Sequence, residues 1–124
     1  MKSHTDLEQS KKLAEILPLE SADMGWYYSN NPLAARNQMW AGTKAENADI
    51  PCWSLAALLE QLDDEFTDED GNDYNLTIVK ESLQYQLYYH DSWGRVEDIE
   101  TDYYDDFVDA CYEMIIILHE QNLL

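Results

Sequence analysis

LTIVKESLQYQLYYH, residues 76–90, reads as two strands joined by a turn. Leu76 and Ile78 fall on one side of the first, and Glu81 and Ser82 stand at the connection. Leu83, Tyr85, Leu87 and Tyr89 then alternate with Gln84, Gln86, Tyr88 and His90, the period of a half-buried antiparallel strand. Further on the period becomes helical. Tyr104, Phe107, Val108, Cys111, Met114, Ile115 and Leu118 form one stripe, which needs a sheet to lie against. The expected fold is α+β: one small antiparallel sheet with helices packed on one face and a long C-terminal helix.

Working outward, residues 91–102 add a further strand around Val96 and Ile99 after a turn at Gly94. IPCWSLAALLEQL, residues 50–62, is a second core-facing helix, because Leu55, Leu58, Leu59 and Leu62 recur at helical spacing. Ser54 is placed to cap it, with Pro51 just outside its first turn and Trp53 folded back on the leucines. GWYYS and NQMWAG, joined across NNPLAA (residues 30–35), read as another hairpin. A first helix covers residues 6–17, with Thr5 as its cap and Pro18 as its stop.

The 124 residues include four Trp, nine Tyr and two Phe, enough apolar area for one folded domain spanning the chain despite its acidity. The acid is unevenly placed. Residues 1–59 hold seven Asp/Glu against five Lys/Arg, a net of minus two; residues 60–124 hold nineteen against two, a net of minus seventeen. Such a field repels nucleic acid and anionic membrane and attracts basic protein surfaces. The longest apolar run, residues 114–118, is too short to span a bilayer, and MKSHTDLEQSKK has no apolar stretch behind its positive residues, so a cytoplasmic protein is expected.

ADM (22–24), IPCWSLAALLEQL (50–62), a two-strand unit, DACYEM (109–114) and LHEQNLL (118–124) occur in that order. This pattern resembles small proteins encoded by bacterial prophages and other mobile elements. The resemblance implies a shared fold and a mobile-element context. It carries no assigned activity, so no functional residue transfers with it.

Motifs for chemistry are lacking. DEDGND (68–73) imitates a calcium loop, but with Gly71 at the sixth position the first is Phe66 and the twelfth Thr77, where carboxylates are required. The favoured reading is a solvated turn. His4, His90 and His119 are isolated, and Cys52 and Cys111 read as small buried thiols. With no nucleophile elbow, phosphate loop or HExxH, neither an enzyme nor a cofactor is expected. Tyr85, Tyr88 and Tyr89 would need a positive groove to stack bases, and Lys80 and Arg95 are the only bases of the second half.

The acidic surface remains as the candidate site. Glu97, Asp98, Glu100, Asp102, Asp105, Asp109 and Glu113, with Trp93 and Tyr103 as aromatic anchors, are expected to meet a basic protein. Asp105, Asp109 and Glu113 share one side of the last helix at four-residue spacing, and Asp102 is its expected cap. A DNA-mimic-like inhibitor would need these acids and the 63–73 run to converge on one surface. The competing expectation is an assembly component that self-associates through Ile116 and Ile117, the acids being only solubilising; monomer and homo-oligomer both stay open.

Overall fold

The structure, a computed structural model, describes residues 1–28, 39–43, 48–93 and 99–124. The class is α+β, but the strands form two antiparallel sheets instead of one. The chain gathers into two compact units, residues 3–57 and residues 1–2 with 58–124.

In the first unit, α1 spans Leu7–Ala14, and Asp6 caps it in place of Thr5. Asp6 Oδ1 accepts from the Gln9 N–H at 2.8 Å while Gln9 Oε1 accepts from the Asp6 N–H at 3.0 Å, a reciprocal capping box. Thr5 is buried, bonded to the Ser10 hydroxyl at 2.7 Å and accepting from the Trp53 N–H at 3.2 Å. A 3-10 turn at Leu19–Ser21 leads into β1, Met24–Tyr28, which pairs with β2, Met39–Thr43. That pairing is the expected hairpin; its connection, residues 30–35, lies outside the described residues.

β3, Ile50–Cys52, occupies the other edge of β1, giving the order β2-β1-β3. Pro51 is therefore an edge-strand residue opposite Gly25, where its missing N–H removes no interior ladder bond. A Cβ on Gly25 would lie 2.6 Å from Ala48 Cβ, so only glycine fits that close approach. Trp53 is fully buried and its indole N–H donates to Ser21 Oγ at 3.0 Å.

Helix α2, Leu55–Glu60, continues the chain into the second unit, and Ser54 Oγ accepts from the Ala57 N–H at its start, as expected. The second unit is built on β4 (Glu65–Thr67), β5 (Asp73–Glu81), β6 (Gln84–Asp91) and β7 (Ile99–Glu100), paired in that order. β4 was hidden in the acidic run: Phe66 stacks on Tyr74 at 4.9 Å and meets Tyr89 edge-on at 5.0 Å. Ile99 lies in β7, whereas Gly94 and Val96 fall outside the described residues.

Helix α3, Phe107–Glu120, lies against β6, burying Val108, Cys111, Met114, Ile115 and Leu118 as expected, and Ala110 as well. Phe107 stacks on Tyr85 at 4.9 Å with the rings 7° apart. The helix starts later than its apolar stripe. Tyr104 exchanges both backbone hydrogen bonds with Tyr85, at 2.7 and 2.9 Å, and so stays extended. The cap is accordingly Asp106, whose Oδ1 accepts from the Val108 N–H at 2.9 Å, and not Asp102. At the other end Asn122 takes φ 57°, and the Asn122 and Leu123 N–H groups donate to the carbonyls of His119 and Leu118, a Schellman closure. No helix among the described residues is long and apolar enough to cross a membrane.

Candidate protein-binding surface

The candidate acids separate into groups once placed in the second unit. Asp109 and Glu113 stand on α3, half-buried, but Asp105 precedes the helix instead of continuing its face. Asp105 is exposed and its Oδ1 accepts from Gln84 Nε2 at 3.0 Å, tying it to the start of β6. Burial, then the charges of Glu113, Asp102 and Asp109, raise the Tyr104 hydroxyl above its ordinary value, and Glu113 also bonds it. The charges of three of the expected acids thus bear on Tyr104. Asp109 is paired with Lys2, whose ammonium lies 2.7 Å from its Oδ1.

Glu100, on β7, and Asp102 are exposed; Glu97 and Asp98 lie outside the described residues. Trp93 is 73% exposed, its backbone held by an N–H donated to Asp91 Oδ1 at 3.1 Å. Tyr103 is 44% exposed, with its hydroxyl 3.5 Å from Glu81 Oε2.

The 68–73 loop is organised around one carboxylate. Asp68 accepts from the N–H groups of Asp70 and Asn72 and from Asn72 Nδ2, at 2.8 to 3.1 Å, and these bonds, Asn72 first, hold it below the usual carboxylate range. Gly71 supplies the left-handed residue, φ 82°. Both Asp68 oxygens are thus engaged by the loop's own donors, and Asp73 Oδ1 accepts from the Thr67 hydroxyl at 2.6 Å. Among the described residues no group of three or more His, Cys, Asp or Glu side chains is arranged to hold a metal ion.

Asp68, Glu69 and Asp70 line a cavity of about 280 Å³ with Gln121, Asn122 and Leu123, beyond the C-terminal end of α3. Asp102, Asp105 and Asp109 lie before or within its first turn, and Glu113 at its middle. The 14 residues of the helix span roughly 20 Å. Over that length duplex DNA carries roughly a dozen charges, and these two groups bring Asp102, Asp105, Asp109, Glu113, Asp68, Glu69 and Asp70. The charge is acidic throughout but sparser than a duplex.

Other sequence candidates resolve simply. Tyr85 and Tyr89 belong to the face of β6 covered by α3, and Tyr88 to the opposite face beside His90, so the three make no common stacking platform. Cys52 and Cys111 are free and buried. Ile116 and Ile117 are half-buried, which leaves the helix less apolar surface than its sequence promised.

The residue that the periodicity misplaced is Leu83. Glu81 pairs with Gln84, so the turn is Ser82-Leu83, and Leu83 projects from its tip 81% exposed instead of facing inward. Ile78, expected on one side of the strand with Leu76, is 44% exposed where β5 runs out towards that tip.

No family model, curated protein or solved structure matches this chain.

Proposed function

We propose that this chain is a protein-binding protein whose acidic second unit engages a basic protein surface, and that it belongs to a phage or other mobile element. The observation that supports the reading is the run of Asp102, Asp105, Asp109 and Glu113 before and along the first half of α3, with the exposed Tyr103 among them, in a segment of net charge minus seventeen. Such a surface speeds encounter with a cationic partner and disfavours nucleic acid. Inhibition of a nucleic-acid-binding host enzyme in the cytoplasm is the role that fits a competitor for its basic groove. Partial imitation of DNA fits better than full imitation, given the charge spacing along α3. No catalytic step or cofactor enters this reading.

The test is charge reversal of Asp105, Asp109 and Glu113 to lysine, with binding to a basic protein measured against salt. Weakened binding with a shallower salt dependence is expected. Unchanged binding would sink the assignment.

A further inference from the structure

We propose that Leu83, at the tip of the β5–β6 hairpin, is the apolar anchor of this interface, with Tyr103 in the groove behind the tip, and that its occupant is a basic segment of another protein carrying an apolar side chain among its cations. This rests on the reading of the second unit as a surface for basic proteins and adds where on that surface the segment is seated.

Leu83 stands on a two-residue turn in which both residues have positive φ, 51° at Ser82 and 64° at Leu83. Asparagine and glycine satisfy that geometry most easily. Here it holds a large apolar side chain outward in water, 81% exposed. Behind the tip lies a shallow groove of about 240 Å³ lined by Glu81, Ser82, Gln84 and Tyr103. That is smaller than the roughly 300–1,000 Å³ of small-molecule sites and suits a single inserted side chain.

The surroundings select the partner. Glu81 reaches the Tyr103 hydroxyl, Gln84 holds Asp105, and Asp102 is exposed next to Tyr103. Lys80 lies one ladder step from the turn pair, its ammonium 5.7 Å from the centre of the Tyr85 ring. An exposed apolar side chain with an acidic rim is the anatomy of a binding patch, an anchor surrounded by charges that orient the partner. A second copy of this chain is disfavoured as occupant, since each copy carries a formal charge of minus nineteen.

The experiment uses two fluorescent oligolysine peptides, alike except that one central residue is leucine in the first and serine in the second, titrated with the full chain at low salt. The leucine peptide is expected to bind about tenfold tighter, the value of burying one such side chain. Leu83→Ser should reduce that preference to less than about twofold, whereas Leu83→Met should keep it. Because Leu83 is exposed, these variants should retain the far-ultraviolet spectrum of the parent. Equal affinity for both peptides, or a preference that survives Leu83→Ser, would overturn the anchor while leaving the acidic surface in place. Failure of both peptides to bind would overturn the acidic surface and the anchor with it.

Discussion

The Lys2 ammonium lies 2.7 Å from Asp109 Oδ1, and the Lys2 backbone N–H donates to Asp106 Oδ2 at the same distance. The second residue of the chain is thereby clipped to the first turn of α3, and one of the candidate binding acids is already matched by a cation within its own unit. The two side chains are 38% and 29% exposed, a range in which such a pair contributes about 0.2–1 kcal/mol. Lys2→Ala is therefore expected to lower stability by less than about 1 kcal/mol and to raise affinity for a basic peptide, by up to about fivefold if the pair competes directly. Fluorescence anisotropy with the serine oligolysine checks this; binding that is not strengthened would place Asp109 outside the contact surface.

Asp106 holds the start of α3 through both oxygens, Oδ1 to the Val108 N–H and Oδ2 to the Lys2 N–H. Asp106→Ala should cost about 1–2 kcal/mol, and Asp106→Asn, which keeps the capping oxygen, clearly less. Thermal melts of the two variants measure the difference, and equal melting temperatures would contradict the assigned cap.

Ser82 and Leu83 both occupy left-handed backbone, which costs roughly 1–2 kcal/mol per residue for L side chains. The double replacement Ser82→Asn and Leu83→Gly supplies the residues this turn favours and should stabilise the protein by about 1–2 kcal/mol. The same variant removes the apolar tip and should lose the leucine-peptide preference. Stability rising while selectivity falls, read by denaturant unfolding and by titration, is the signature of a strained turn kept for binding.

Burial pushes the Cys111 thiol from 9.0 up to about 12, and burial raises Cys52 against the opposing bonds from Thr5 and Ser10. Both groups are raised in the folded state. Between pH 9.0 and about 12 the unfolded chain has released thiol protons that the folded chain keeps, so stability from Cys111 is fully present below this window and is lost as pH rises through it. Tyr89 shifts the same way through burial. Denaturant midpoints should therefore fall with pH on the alkaline side, and both thiols should react slowly with a disulfide reagent until the chain unfolds. Rapid labelling of the native protein would contradict their burial.

The α3 stripe and the β5–β6 hairpin were legible because burial imposes a period that letters alone reveal. Leu83 was not, since alternation is equally regular whether the turn sits at Glu81-Ser82 or one residue later. Only the ladder, with Glu81 opposite Gln84, chooses the register, and Ser-Leu is no turn signal. β3 was masked by the helix that follows it, because its pairing with β1 joins residues distant along the chain. β4 carries one apolar residue, Phe66, whose meaning appears only beside Tyr74 and Tyr89. Three aspartates among residues 102–106 offered several caps; the Tyr85–Tyr104 bridge keeps Tyr104 extended and leaves the role to Asp106. The acid of the second half was plain from composition, but which carboxylates bear on Tyr104 depends on where the helix starts.

The central claim is that the acidic second unit binds a basic protein, and immobilised protein challenged with a bacterial lysate tests it most directly, in low and then moderate salt, with duplex DNA as competitor. The account predicts one nucleic-acid-binding protein retained by the parent, displaced by DNA, and lost when Asp105, Asp109 and Glu113 are reversed to lysine. Retention indifferent to DNA and to charge reversal, or no specific retention in low salt, would contradict it and return the acidic face to the role of keeping the chain in solution.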